Sequence, residues 1–277
     1  MVRTLSTLTA VAVTLGAVQP QLSLRDVVRR VGAYVDSFGD RASIVVATEK
    51  YSQREVDDAR HFSSQRDLVS DLAIIQTNER RWVGFRDVLE VDRKAIKDRQ
   101  DRLIELLKSG TLDEARRVTE ESARFNVGPV LRDFNVPTSA LFFFTSENLD
   151  RFTFKSKGAA ADGVWSIDFR ETSTPTLIRE PNGKSIRSQG TIWTKPDGAV
   201  VRTQLGLHFI NPTIPSGPVS VTVNVDVAYT HVATLDMWLP AVMTESYESR
   251  QGRDVDRVTT RADYSNYRTF QTSVRIK

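Results

Sequence analysis

Residues Val219 to Val227 alternate without a break, and Tyr229 closes the apolar row. Val219, Val221, Val223, Val225, Val227 and Tyr229 are apolar, and Ser220, Thr222, Asn224 and Asp226 between them are polar. A period of two is the strand period, and the β-branched row fits a pleated surface. A strand with one apolar and one polar face belongs in an antiparallel sheet with one side buried and the other in water; a parallel sheet covered on both faces would be apolar throughout. Such a strand cannot bury its own apolar row, so the rest of the chain must supply more strands and a cover.

The surrounding sequence does so. From residue 149 onward it reads as a series of hairpins. Phe152 and Phe154 alternate with polar residues, and Asp162-Gly163 is a hairpin turn signal. Trp165, Ile167 and Phe169 then face one way, with Ser166, Asp168 and Arg170 facing the other. Pro181-Asn182-Gly183 and Pro196-Asp197-Gly198 are two more turns, in which Pro presets φ and Gly supplies the left-handed position. The strand Val200–Phe209 is expected to pair antiparallel with Val219–Tyr229, with Leu205 facing Val223 and Arg202 opposite Asp226 on the wet face. Met243 and Tyr247, then Phe270, Val274 and Ile276, mark the last strands. Earlier in the chain, Ser43–Arg54, Leu68–Gln76 and Trp82–Val91 are strand-like, and the polar stretch Glu55–Arg66 reads as a long hairpin connection.

Two segments switch to helical period. In residues 22–39, Leu24, Val27, Val28, Val31, Tyr34, Val35 and Phe38 recur at helical spacing, Ser23 with Asp26 makes a capping-box variant, and Gly39 is the expected stop. Arg25, Arg29 and Arg30 lie on its polar face. In residues 98–126, Leu103, Leu106 and Leu107 form one stripe, Gly110 breaks it, and Thr111 with Glu114 caps a second helix, so a helical hairpin is expected. Pro137 then opens a buried apolar segment, Thr138–Thr145, whose helix or strand state period alone does not decide. Repeats, low-complexity segments and linkers are absent. The fold class expected is α+β: one domain over 20–277, with a strongly curved antiparallel sheet, an N-terminal amphipathic helix on its concave side, a helical insertion over 98–146 and a hairpin-rich part over 149–277.

Residues 1–19 have the layout of a cleavable export signal: Arg3, an uncharged apolar run from Leu5 to Val18, and small residues Gly16 and Ala17 before Gln19. The run falls short of the roughly 20 residues of a transmembrane helix. A periplasmic or secreted protein without a transmembrane anchor is expected, beginning at or near Gln19. Cysteine is absent, which removes disulfides, thiol chemistry, zinc–thiolate sites and a lipidated-cysteine anchor together. The formal charge is +3, and without Arg3 it is 37 minus 35, or +2. That small excess is not the clustered positive surface a nucleic-acid partner requires.

Three histidines are present, His61, His208 and His231. None sits in a metal-ligand pattern, and no nucleophile elbow marks a serine. Neither enzymatic activity nor a metal or other cofactor is expected. Glu245 shares the phase of Met243 and Tyr247 and so points to the apolar side, where a carboxylate must be paired or protonated. It is either half of a Glu–Arg pair at a barrel rim or a polar anchor in a ligand cavity. The scattered aromatics, Trp82, Phe85, Trp165, Trp193 and Trp238, are core or the lining of an apolar pocket, and Phe142-Phe143-Phe144 is a candidate plug. The candidate ligand-binding residues are Trp82, Phe142, Phe143, Phe144, Trp165, Trp193, Met243, Glu245 and Tyr247.

Residues 151–171 read RFTFKSKGAAADGVWSIDFRE, residues 190–205 GTIWTKPDGAVVRTQL, and residues 239–249 LPAVMTESYES. A hairpin with a D-G turn followed by an I/V-W-x…D-G-x-x-R hairpin resembles the bacterial lipoprotein-carrier superfamily, over residues 149–277. The resemblance implies an unclosed antiparallel half-barrel that wraps a helix and holds an apolar cavity for acyl chains. The Y-S-N-Y-R-x-F ending is similar to that of exported bacterial proteins with no assigned activity. The helical hairpin and the greater length depart from the carriers. The expected function is an exported binding or carrier protein for a hydrophobic ligand or acyl chain; the alternative is an envelope protein-interaction or sensor module without a small-molecule ligand.

Overall fold

The computed structural model describes residues 22–42, 45–57, 61–76, 82–96, 123–128, 132, 136–180, 182–211 and 218–269. Its one long helix, α1 (Leu24–Ala42), begins where the sequence places it. The Ser23 hydroxyl accepts the Asp26 N–H at 3.2 Å and donates to the Asp26 carboxylate at 2.6 Å. The hydroxyl thus caps the helix by taking an N–H of its first turn, and the bond from Ser23 holds the Asp26 carboxyl below its ordinary value. Val27, Val31, Val35, Phe38 and Ala42 make the buried stripe. Gly39 does not end the helix. It is buried, and the helix runs three residues further because Phe38 and Ala42 on either side of it are docked in the core. The polar-face arginines Arg25, Arg29 and Arg30 are all exposed; Arg29 pairs with Asp26 at 2.9 Å, and Arg30 donates to the Pro196 carbonyl at 2.7 Å.

Among the described residues thirteen strands follow: β1 (Val45–Asp57), β2 (Phe62–Gln76), β3 (Trp82–Val91), β4 (Lys94–Ala95), β5 (Phe152–Ala159), β6 (Trp165–Glu171), β7 (Ile178–Arg179), β8 (Ser185–Ile186), β9 (Ser188–Thr194), β10 (Val200–Asn211), β11 (Val219–Val232), β12 (Met237–Gln251) and β13 (Asp254–Thr269). Eleven form one antiparallel sheet in the order β4-β3-β2-β1-β13-β12-β11-β10-β9-β6-β5, and β7 with β8 forms a separate small hairpin. The sheet is open, with β4 and β5 at its edges.

It is also bent. α1 packs against both β2 and β5, which stand eight places apart in the sheet. Laid flat, eight strand spacings would cover about 38 Å, while a helix of this length spans about 28 Å. The sheet must therefore curl around α1. One apolar core results, combining the buried stripe of α1, the inward row of the sheet and the segment around Phe143. No helix among the described residues is long and apolar enough to cross a membrane.

The alternating strand behaves as its sequence demands. Val221, Val223, Val225, Val227 and Tyr229 are buried, and it pairs antiparallel with β10. The register differs from expectation by two residues: Leu205 faces Val225, and Leu207 faces Val223. A shift of two keeps every side chain on its face, where a shift of one would invert them all. Arg202 therefore sits opposite Ala228 and reaches Asp226 diagonally, through Nε–Oδ1 at 3.0 Å and Nη2–Oδ2 at 2.6 Å. The pair is solvent-facing, so Arg202→Ala is expected to cost only about 0.2–1 kcal/mol in urea denaturation; a loss several times larger would mean that the pair is shielded from water.

Three other segments refine the sequence reading. The expected long connection at Glu55–Arg66 is mostly strand, because β1 continues to Asp57 with β13 on one side and β2 on the other. Thr138–Thr145 contains a 3-10 helix, Ser139–Phe144. The expected helical hairpin, apart from residues 123–126, lies outside the described residues, as do residues 1–19 and the terminal strand positions Phe270, Val274 and Ile276.

Candidate functional site: the two halves of the concave face

The inward positions of β1 read Ala47, Glu49, Tyr51 and Gln53, and all four are buried. The ladders set Tyr51 against Ala262 of β13, and Ala262 against Met243 of β12. One pair along, Gln53 meets Thr260 and Thr260 meets Glu245. Strand pairing alone thus gathers Glu49, Tyr51, Gln53, Thr260, Glu245 and Tyr247 on one stretch of concave surface.

Glu245 is 3% exposed. Its carboxylate accepts hydrogen bonds from Tyr51 Oη (2.7 Å), Thr260 Oγ1 (2.6 Å) and Tyr247 Oη (2.6 Å). Three hydroxyl donors stand in for the water a carboxylate loses on burial, and bonds to a charged acceptor are the strong kind. Burial, and then the neighbouring Glu245 charge, push both tyrosine hydroxyls above their ordinary values, so they keep the protons they donate.

Two arginines complete the network. Arg86 of β3 grips Glu49, with Nη2 donating to Oε1 at 2.8 Å and Nε donating to Oε2. Its guanidinium lies over the Tyr51 ring at 4.6 Å. Burial works against the Arg86 charge, but the Glu49 carboxylate more than offsets it and holds the guanidinium protonated. Arg132 is 1% exposed. It donates to Tyr51 Oη at 3.1 Å, to Gln53 Oε1 at 2.6 Å and to the Val127 carbonyl at 2.9 Å. Gln53 in turn accepts the Val127 N–H and donates to the Phe125 carbonyl. Phe125, Val127 and Arg132 are thereby tied to the sheet, and the second buried cation stands one hydroxyl away from Glu245.

The other half of the concave face, across β5, β6 and β9–β11, is mainly apolar; its buried polar members are Glu171, Ser188, Thr194 and Thr203, with Ser188 donating to Glu171 at 2.9 Å. The 3-10 helix lies on it. The Phe143 ring is 5.7 Å from Phe152 and 6.3 Å from Phe169, and Phe144 meets Phe169 edge-on at 5.0 Å. Phe142 is half-buried beside Phe143. Asn148 fixes the end of the segment by donating to the Phe142 carbonyl at 3.0 Å and to Thr145 Oγ1 at 2.9 Å. Tyr229 donates to the Pro137 carbonyl at 2.8 Å.

The sequence-derived candidates therefore fall into separate groups. Met243, Glu245 and Tyr247 come together in and beside the polar network. Phe142, Phe143 and Phe144 form the cover of the apolar half. Trp165 is half-buried on the inward phase of β6. Trp193 lies on the outer face beneath the Arg202 guanidinium, 4.6 Å from its ring centre. Trp82 is placed in β3, and its side chain is outside the described residues. His61 and His208 are exposed; His231, near Trp238, lies 3.1 Å from the Asp236 carboxylate. Among the described residues no group of three or more His, Asp or Glu side chains is arranged to hold a metal ion.

Sequence reasoning missed Glu49, Tyr51, Gln53, Arg86 and Arg132. For the first three a signal existed: they occupy the phase of Val45 and Ala47, so polar groups stand where the period demands burial. Arg132 carried no such signal, since it lies in an irregular segment.

No protein-family model matches the chain, and no curated protein matches it. Among solved structures it is similar to an outer membrane lipoprotein-sorting protein domain from Vibrio parahaemolyticus, with 11% identity over 89% of this chain and 95% of that one and a TM-score of 0.37. It is also similar to a chain of the Pseudomonas aeruginosa MucA/MucB complex, with 10% identity over 87% of this chain and 99% of that one and a TM-score of 0.20.

Proposed function

We propose that this chain is an exported, non-catalytic binding protein for an amphipathic molecule bearing an acyl chain, held on the concave face of the open sheet. One observation carries the reading. The concave face is divided into a mainly apolar half and a half that carries the Glu49, Glu245, Arg86 and Arg132 network, and the cover over part of the mainly apolar half is a six-residue 3-10 helix rather than a second sheet. An acyl chain would displace Phe143 and Phe144. The polar end of the same molecule would reach Tyr247 and Glu245. Affinity would come from apolar area, at about 25 cal/mol per Å² removed from water. Export rests on the layout of residues 1–19.

The experiment is a titration of the full chain and of Phe143→Ala with a fluorescent fatty acid. The expected result is saturable binding by the parent chain and stronger uptake by the variant, whose cover is incomplete. If neither chain binds the probe and Phe143→Ala costs about 3–5 kcal/mol, the aromatic cluster is simply packed core. The close ring packing of Phe143 and Phe144 favours that second reading, an envelope protein-interaction module. Native mass spectrometry of protein purified from its own host separates the two: a co-purified lipid supports the binding protein, and an empty chain joined to another protein supports the module.

A further inference from the structure

β5 is the last strand on its side of the sheet: among the described residues it pairs with β6 alone. The Arg151 carbonyl accepts the Thr172 N–H at 2.8 Å, one step beyond the Phe152–Glu171 pair. Bonded and non-bonded pairs alternate along an antiparallel ladder. Thr153 and Lys155 therefore bond across to β6, while Phe152, Phe154 and Ser156 turn their main-chain groups the other way. The Phe152 N–H fits this alternation, since it bonds to the Leu149 carbonyl. The carbonyl of Phe152, the N–H and carbonyl of Phe154 and the N–H of Ser156 thus stand in a row on the open edge. The ladder then stops in a bulge, where Gly158 takes positive φ and gives its N–H to Ser156 Oγ at 2.9 Å. The opposite edge strand, β4, is two residues long and offers far less main chain.

The two faces of this edge differ. On the outer face Thr153, Lys155 and Lys157 are exposed, and Arg170 of β6 stands opposite Thr153. The side chains of Lys155, Lys157 and Arg170 make no ion pair or hydrogen bond with another described residue. Among the described residues, Asp168 is the only carboxylate on the outer face of β5 and β6; it lies opposite Lys155 and accepts from Thr191 at 2.8 Å. Three cations thus stand against one engaged carboxylate. On the concave face Phe154 is half-buried, with its ring 6.1 Å from Phe144 and 6.3 Å from Phe152, so the aromatic cluster reaches the edge itself.

We propose that β5 takes up an extended acidic segment of a partner protein as a further strand, with an apolar residue beside Phe154 and an acidic residue on either side of it. In strand addition the main-chain bonds give affinity and the alternating side chains give the choice of partner. The residue paired with Phe154 shares its face, and its two neighbours point to the outer face. There they meet the cations of Lys155, Lys157 and Arg170. Lysines on an edge also resist like edges: a second copy of β5 would bring cations against cations, so the occupant is not another copy of this chain. The added strand lies beyond β5 and leaves Phe143 and Phe144 in place, so this site does not depend on acyl binding at the concave face.

The test is fluorescence anisotropy of the full chain with a labelled Glu-Val-Glu-Val-Glu-Val-Glu peptide, its counterpart with lysine for glutamate, and an acidic copy N-methylated at each valine. The acidic peptide is expected to bind saturably and the basic one not. N-methylation removes the main-chain donors and should weaken binding by about tenfold or more. Lys155→Glu with Lys157→Glu should keep the melting temperature, since both side chains are exposed, weaken the acidic peptide by about tenfold or more and admit the basic one. No saturable binding of the acidic peptide would overturn the proposal. So would affinity within about twofold of the parent in the double variant, or for the N-methylated peptide, because plain charge attraction needs no strand. If the double variant fails to fold, Lys155→Ala and the N-methylated peptide decide. Binding of phosphatidylglycerol vesicles without any binding of the acidic peptide would assign the cations to a lipid surface and overturn strand addition.

Discussion

Val223→Asp is expected to abolish folding. Val223 is 1% exposed and stands in a ladder row between Leu207 and Tyr247. A carboxylate there enters beside the Glu245 network, whose neighbouring hydroxyls are engaged with an existing negative charge. An unpaired buried charge costs several kcal/mol even after relaxation, against a whole-domain stability of about 5–15 kcal/mol. Circular dichroism on heating should show no cooperative transition, and limited proteolysis should digest the variant throughout. Val223→Thr, which adds a hydroxyl at similar volume, should fold with reduced stability. A Val223→Asp protein melting within a few degrees of the parent would mean that this face of β11 is wet, contrary to the period of its sequence.

The second large effect belongs to the buried ion pair. Arg86→Met is expected to cost about 3–5 kcal/mol in urea denaturation, because it leaves the Glu49 carboxylate buried without its cation. The pair is not for that reason a net source of stability. Replacing both partners, as in Glu49→Leu with Arg86→Met, should recover most of the loss and can exceed the parent, since apolar isosteres avoid desolvating two charges. A single-variant loss below about 1 kcal/mol would show that water reaches Glu49, as at an exposed pair.

Most of the sheet was legible because its cause is local. Two-residue alternation in β11 and β6 fixed which side chains face inward. Gly163, Gly183 and Gly198 all take positive φ in the turns their Asp-Gly, Asn-Gly and Asp-Gly pairs announced. Register was less accessible: the two-residue slip between β10 and β11 changes no side chain's face, so alternation is silent about it. Strand ends were also obscured. Glu55 and Asp57 look like loop residues by composition, and it is the ladders to β2 and β13, nearly 200 residues apart in the chain, that keep them extended.

The candidate site was half legible. The inward phase of Glu245 could be read directly, and its companions Met243 and Tyr247 with it. Its partners could not, because hydroxyls from β1 and β13 reach it only once residues 51 and 260 are neighbours. Expecting a Glu–Arg contact followed from charge alone; the structure instead interposes Tyr51 between Glu245 and Arg132. The aromatic candidates shared hydrophobicity but not a face, and so Trp193 ended on the far side of the sheet from Phe143.

The first and last of the described strands, β1 and β13, are adjacent, and this bears on how the molecule assembles. Asp57 pairs with Asp256, a separation of 256 − 57 = 199 residues. Closing a loop of that size costs about 5 kcal/mol of chain entropy before any contact rewards it, and sheets built on such distant pairings fold in milliseconds to seconds rather than microseconds. Until the final strand arrives, β1 and β12 each present an open edge, the surface on which chains misassociate. A chain synthesised from its N-terminus thus stays pliable until residues 254–269 have been made. Any truncation before residue 254 should leave two unfinished sheets prone to aggregation, not a smaller stable domain.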